Sequence, residues 1–229
     1  MAVMYSSQGT GPGILLVHGI GTSRRYFAPL ADCLAATHHV VAPDLPGFGK
    51  SGRPRPALSI SGQAAAMESV IEEAGLHRPL LVGHSMGAEV VTELAVRNPG
   101  LARGIVLIGP VVDPSAPTAV RQAARLAHDV LGEPVRFNAV VLWDYLRGGP
   151  RSFFGTLPHM LSYPLEEKLA KVSEPIVLVR GVRDPIAPRA FFQRLRDRTG
   201  AEVVEIPDAR HLAMSVQPEA VAEICRRFG

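Results

Sequence analysis

Residues 79–87 read Pro-Leu-Leu-Val-Gly-His-Ser-Met-Gly. Leu80, Leu81 and Val82 form a short apolar run of the kind a buried strand uses, and helical periodicity begins directly after Gly87, over 88–97. Ser85 therefore falls on a strand-to-helix turn. Gly83 and Gly87 flank it two residues away on either side, where a missing side chain lets strand and helix backbones crowd around a residue held in a strained conformation. The pattern is G-x-S-x-G, the nucleophile elbow. Its shape sets its chemistry: the turn pushes the Ser85 hydroxyl into open space, while the first N–H groups of the helix point at any negative oxygen formed beside it. Glycine and serine are common turn residues, so the pattern alone is weak; here the strand and the helix are both present.

Outward from this turn the chain alternates. Residues 2–5 read as a short edge strand, and a glycine-rich turn over 8–13 leads into Ile14-Leu15-Leu16-Val17. His18-Gly19-Ile20-Gly21 follows, then a helix over 25–36, a strand over 40–42, a loop over 44–56 and a helix over 60–74. Beyond the elbow come a strand over 104–108, a strand over 176–180, a helix over 189–198, a strand over 202–206 and a final helix over 218–228. Strands alternating with helices mean an α/β fold: a mostly parallel, doubly wound sheet of about seven strands, covered on both faces.

Residues 113–171 break the alternation, so the domain reads as a core of 1–112 and 172–229 with an insertion. Val120, Ala123, Ala127, Val130 and Leu131 lie at helical spacing, Pro134 interrupts, and Phe137, Val140, Val141 and Tyr145 supply a second apolar face that Gly148-Gly149-Pro150 ends. The insertion carries Trp143, Phe153, Phe154, Met160 and Tyr163, and it is expected to cover the carboxyl edge of the sheet, where ligands of open α/β folds bind. Trp143, Phe153, Phe154 and Met160 are the candidates for substrate contact; the plainer reading of each is packing of the insertion onto the core.

The chain of 229 residues, 47% hydrophobic, is long enough for one full core. Its net charge of +3 is spread among interspersed acidic and basic residues without a long basic run, which argues against nucleic acid as a partner. Cys33 and Cys225 make neither a disulfide framework nor a metal-ligand spacing and suit a reducing cytoplasm. No basic leader with a long apolar region and no run approaching ~18 apolar residues is present, so neither a signal peptide nor a membrane span is expected. Gly47-Phe48-Gly49-Lys50-Ser51-Gly52 spells G-x-G-x-x-G and contains Gly-Lys-Ser, yet Asp44 stands where a phosphate-binding loop needs glycine, and Arg53-Pro54-Arg55-Pro56 follows where a dinucleotide fingerprint opens a helix. The eight histidines show no metal spacing such as H-E-x-x-H, and neither a metal nor a cofactor is expected.

A serine hydroxyl becomes a nucleophile when a base takes its proton, and an imidazole serves best when a carboxylate fixes its tautomer. Gly181-Val182-Arg183-Asp184-Pro185 follows one strand and Pro207-Asp208-Ala209-Arg210-His211-Leu212 follows the last, which places Asp184 and His211 at the same carboxyl edge as Ser85. Asp113 also follows a strand and is a rival acid. His84 and His159 are weaker candidate bases, and His18 reads as a loop-fixing hydrogen-bond partner.

The motifs Leu-Leu-Val-His-Gly at 15–19, Asp-Leu-Pro-Gly-Phe-Gly-Lys-Ser at 44–51, Gly-His-Ser-Met-Gly at 83–87, Gly-Val-Arg-Asp-Pro at 181–185 and His-Leu at 211–212 occur in an order that resembles the α/β-hydrolase superfamily over nearly the whole chain. The resemblance implies a Ser85, Asp184, His211 triad, favours Asp184 over Asp113 through the Gly-x-x-Asp-Pro loop, and assigns the backbone N–H groups of Ile20 and Met86 to an oxyanion hole. It also implies that 113–171 is a small helical cap, and that the first strand of an eight-stranded sheet is missing. The activity it implies is a cofactor-independent serine hydrolase acting on a carboxylic ester or thioester of a small, largely apolar substrate. Relatives with the same triad also cleave carbon–carbon bonds, act as cofactor-free haloperoxidases or perhydrolases, or serve as lyases. Dehalogenase and epoxide hydrolase relatives carry Asp where this chain has Ser85. A non-enzymatic ligand receptor on the same fold is the rival of another class. The oligomeric state is not readable from the sequence.

Overall fold

The computed structural model describes residues 2–112, 139, 143–144 and 150–229. Asp113, the helical patterns expected from Val120 to Tyr145, and Gly148 and Gly149 lie outside the described residues.

Strand residues alternate between two apolar layers, and this alternation builds the sheet. In β2 (Gly13–Val17) Leu15 and Val17 enter one core cluster and Ile14 and Leu16 the other, all fully buried. The same division separates Leu81 from Leu80 and Val82 in β4 (Leu80–His84), and Ile105 and Leu107 from Val106 and Ile108 in β5 (Gly104–Ile108). A strand buried on both faces has no polar side, which is why these runs are continuously apolar. With β1 (Tyr5–Gln8), β3 (His39–Pro43), β6 (Ile176–Gly181) and β7 (Glu202–Ile206), they form one seven-stranded sheet in the order β1-β3-β2-β4-β5-β6-β7. Only β1 pairs antiparallel, against β3.

Helices α2 (Ile60–Glu73), α3 (Met86–Arg97) and, later in the chain, α6 (Arg189–Thr199) cover the first layer; α1 (Ala28–Leu34), α7 (Ala213–Val216) and α8 (Pro218–Arg226) cover the second. The insertion contributes α4 (Pro150–Leu161) and α5 (Leu165–Leu169). Tyr163 donates to Glu93 of α3 at 3.0 Å and Lys168 pairs with the same carboxylate at 2.9 Å, tying these helices to the helix that follows the elbow.

Several boundaries differ from expectation. The edge strand is Tyr5–Gln8, not 2–5, because Ser6 and Ser7 tolerate a half-exposed edge that local apolarity does not mark. The helix expected over 25–36 is a 3₁₀ turn, Arg24–Phe27, followed by α1, with Pro29 inside its first turn where a missing N–H costs nothing. The terminal helix starts at Pro218 as expected but ends at Arg226, and a short helix that was not expected, Ala213–Val216, precedes it. Pro150 is the first residue of α4, where its missing N–H likewise costs nothing.

The winding reverses between β3 and β4, which lie on opposite sides of β2. The carboxyl ends of β2 and β4 are therefore neighbours at the switch point of the sheet, with Val17 opposite Gly83. Open α/β sheets bind ligands at this point because the two loops diverge and leave a crevice.

Candidate active site

Ser85 leaves β4 with φ 55° and ψ −123°, a left-handed conformation that costs a non-glycine residue about 1–3 kcal/mol. Its surroundings over-determine the turn. The Ser85 N–H donates to Ile108 O at 3.0 Å and its carbonyl accepts from Ala88 N at 3.0 Å. A methyl at Gly83 would lie 2.3 Å from Gly87 O, and one at Gly87 would lie 2.1 Å from Val17 O, so strand, helix and β2 close on each other only through glycine. Met86 is the first residue of α3 and is buried; its N–H belongs to the group of helix-start donors that the ladder leaves without a partner.

Asp184 and His211 arrive on adjacent loops. Arg183 N donates to Ala209 O at 3.0 Å and Val182 N to Ile206 O at 3.0 Å, which fastens the turn after β6 to the turn after β7. His211 Nδ1 then stands 2.9 Å from Asp184 Oδ2. The other carboxylate oxygen accepts the N–H groups of Ile186 at 2.7 Å and Ala187 at 3.1 Å. Asp184 is 3% exposed and His211 6%. A buried carboxylate with three donors is held as the anion's geometry requires, and Nδ1 of His211 is held as the protonated nitrogen. Gly109, φ 51°, leaves room for the pair, since a methyl there would sit 2.9 Å from His211 Nδ1.

The loop after β2 lies against the elbow from the other side. A methyl at Gly19 would be 3.0 Å from Ser85 Cβ and 3.3 Å from its Oγ, so the Gly19-Ile20 backbone runs beside the serine hydroxyl. His18 fixes that loop: its Nε2 accepts Leu45 N–H at 2.8 Å and its Nδ1 donates to Gly19 O at 2.8 Å. Thr22 Oγ1 donates to the same carbonyl at 2.9 Å. Burial lowers the pKa of His18, and a neutral ring is what an acceptor Nε2 demands.

His84 has a role the sequence does not announce. The Gly19 N–H donates to Tyr26 Oη at 2.7 Å, Tyr26 Oη donates to His84 Nδ1 at 2.8 Å, and His84 Nε2 donates to the carbonyl of His211 at 3.0 Å. The two imidazoles lie 4.6 Å apart. Burial, reinforced by the neighbouring His211, holds the His84 pKa well below the ordinary histidine value, so the ring stays neutral. One chain of hydrogen bonds thus links the Gly19 loop, the elbow and the His211 loop. Tyr26 carried no signal, because nothing in its spacing from His18 or Ser85 marks it as their bridge.

Asp44, 1% exposed, joins the loop after β3 to this frame by accepting Arg24 N–H and Lys50 N–H at 2.9 Å each, and it pairs with the Arg24 guanidinium. Asp144 of the insertion, 6% exposed, accepts from Ser23 Oγ at 2.6 Å and reaches Arg25 at 3.4 Å. Both carboxyl oxygens of Glu89, fully buried one turn beyond Ser85, lack a hydrogen-bond partner among the described residues, and burial pushes its pKa well above the ordinary carboxylate value.

The expected substrate contacts are spread out. Trp143, 51% exposed, lines a separate cleft with Asp144, Arg24 and Lys50. Phe154 is 65% exposed and meets Phe153 edge to face at 5.4 Å, while Met160 is buried in the core cluster beside α3. His159 lies on α4. Among the described residues no cluster of His, Cys, Asp and Glu is placed to hold a metal ion, and no helix is long and apolar enough to cross a membrane.

A family profile described as "Alpha/beta hydrolase family" matches residues 14–224. An uncharacterised protein of Mycobacterium bovis is 36% identical over 100 residues, a match that covers 44% of this chain and only 29% of that protein. Haloalkane dehalogenase 2 of the same organism is 27% identical over 261 residues, covering 99% of this chain and 91% of its own length. Among solved structures, an enol-lactonase from Burkholderia xenovorans superposes with a TM-score of 0.85 at 21% identity, over 99% of this chain and 95% of that one, which is a likeness of fold.

Proposed function

The chain belongs to the α/β-hydrolase family, and from that premise we propose that it is a serine hydrolase that cleaves a carboxylic ester or thioester through an acyl-enzyme. The observation that carries the reading is the buried Asp184–His211 pair, 2.9 Å apart, beside a serine held at φ 55°. In the proposed reaction His211 Nε2 takes the Ser85 proton as Oγ attacks the carbonyl carbon. Asp184 holds Nδ1–H and stabilises the imidazolium that forms. The tetrahedral oxygen carries a full negative charge, and the N–H groups of Ile20 and Met86 receive it. His211 then protonates the leaving alcohol or thiol, and water repeats the sequence on the acyl-enzyme with His211 as base.

Lactone opening, named for the enol-lactonase neighbour, is ester cleavage within a ring and needs no different part. Halide displacement, named for the dehalogenase relative, fits Ser85 poorly. Attack of a serine oxygen on an alkyl halide would leave an ether, with no carbonyl for water to attack and so no turnover. The insertion over 113–171 serves in this reading as a cap above a small-molecule substrate, with Phe153 and Phe154 among its described apolar side chains. Free Cys33 and Cys225 suit a reducing, cytoplasmic setting.

A fluorophosphonate probe tests the assignment. The native protein is expected to label on Ser85 and to hydrolyse p-nitrophenyl acetate, and Ser85→Ala to lose labelling and turnover by at least about a thousandfold while melting normally. A variant within about tenfold of the native rate would remove Ser85 from the mechanism.

A further inference from the structure

The sequence motif left without a role is Arg53-Pro54-Arg55-Pro56. A cleft of about 380 Å³ opens between this segment and the first turn of α4, lined by Arg53, Arg55 and Arg151 with Gly47, Ser152 and Thr156. Among the described residues no acidic side chain lines it. Several surface arginines elsewhere meet a carboxylate, as Arg183 meets Asp208, Arg226 meets Glu219 and Glu223, and Arg227 meets Glu202. Arg55 and Arg151 have no such partner among the described residues. The like charges of Arg55 and Arg151 on one concavity repel, so their convergence is a standing cost that an anion in the cleft would relieve.

The presentation is partly pre-set. Arg53 and Arg55 each precede a proline, which disfavours helical backbone at both. Arg151 approaches from the opposite wall, on the opening turn of a twelve-residue helix whose dipole adds to the positive field. Guanidinium groups fit carboxylate and phosphate oxygens two at a time, and the volume exceeds what either group alone fills. The loop is also tied to the candidate site, since the Leu45 N–H at its start is held by His18 next to Gly19.

We propose that this cleft binds the anionic end, phosphate or carboxylate, of the ester or thioester that Ser85 cleaves, with Arg55 and Arg151 gripping it from core and insertion. The proposal rests on the hydrolase reading for the identity of the occupant and on the cleft alone for the anion. It also makes the bound anion a bridge between the β3–α2 loop and α4, so that a charged substrate would steady the insertion over the core.

Two measurements separate these layers. Calorimetric titration of the full chain with inorganic pyrophosphate and with succinate, at low ionic strength, reads the cleft without turnover. Saturable binding of at least one of them is expected, weakened at least tenfold in Arg55→Gln/Arg151→Gln and unchanged in Arg196→Gln, an exposed arginine elsewhere; which anion binds more tightly distinguishes phosphate from carboxylate. No saturable binding, or equal binding in the double variant, overturns the proposal. The second measurement is the ratio of kcat/KM for mono-p-nitrophenyl succinate to that for p-nitrophenyl butyrate. The double variant should lower this ratio at least tenfold with the butyrate rate unchanged. An unchanged ratio beside intact anion binding would overturn the substrate as occupant. Absence of turnover on both esters, beside anion binding lost in the variant, would count against the hydrolase reading and leave the anion site standing.

Discussion

Tyr26→Phe removes one oxygen and leaves two buried groups without a partner. Tyr26 is 2% exposed, its ring stacks on Phe27 at 4.9 Å, and both contacts of its Oη are inside the protein. Phenylalanine keeps the ring, so the change opens little cavity and acts mainly through the Gly19 N–H and His84 Nδ1. An unsatisfied buried donor or acceptor costs about 1–3 kcal/mol, so the two together predict a loss on the order of 2–4 kcal/mol after local relaxation. For a chain of this size 1 kcal/mol shifts the melting temperature by about 2–4 °C, which puts the expected fall at about 5–15 °C by differential scanning calorimetry. Activity should fall as well, because the Gly19 loop carries the Ile20 N–H and His84 props the His211 carbonyl. We expect kcat on p-nitrophenyl acetate to drop about 10–100-fold with KM changed by less than about threefold, since oxyanion stabilisation is realised in the transition state. Ser215→Ala is the comparison: it removes a 2.7 Å bond to the Tyr26 carbonyl and leaves the relay intact, so it should cost stability of about 1 kcal/mol and little rate. A Tyr26→Phe protein that melts within about 2 °C of the native one and keeps its kcat would refute the claim that this relay holds the site.

Asp184→Asn is expected to lower kcat by about three to four orders of magnitude with folding intact. The asparagine oxygen would keep the Ile186 and Ala187 N–H groups, which turns its NH₂ toward His211 Nδ1 and drives the imidazole proton onto Nε2, the nitrogen that accepts from Ser85 in the proposed reaction. A loss smaller than tenfold would move the acid elsewhere, Asp113 first. Stability should decline towards both ends of the pH range. His18 and His84 have folded pKa values below the unfolded value of about 6.5, so the unfolded chain alone gains protons and stability is lost as pH falls below that value. Glu89 has a raised folded pKa, so above about 4.5 the unfolded chain alone loses a proton and stability falls as pH rises towards the folded value. Glu89→Gln should therefore gain on the native protein progressively with pH in urea unfolding from pH 5 to 9, and a constant difference across that range would show that Glu89 does not titrate as a buried acid.

What the sequence by itself determined is what rests on local pattern. Continuous apolar runs specify strands buried on both faces, glycines two residues either side of Ser85 specify a turn only glycine permits, and Asp184 and His211 each follow a strand, which already sends them to one edge of a parallel sheet. These readings survive because periodicity and steric exclusion act within about ten residues of chain. The helix break at Ala28, the short helix Ala213–Val216 and the edge strand at Tyr5–Gln8 were less legible, since prolines near helix starts and serines on an exposed edge are tolerated and not demanded. Only the tertiary structure decided the hydrogen-bond relay from Gly19 through Tyr26 and His84 to His211, the anchoring of Asp44 and Asp144, the burial of Glu89 and the placing of Arg55 and Arg151 on one cleft. Each of these joins or buries groups according to how the sheet reverses its winding at β2 and where the insertion returns to the core. A residue's own neighbours in the chain hold no trace of partners brought to it from 58 or 127 positions away.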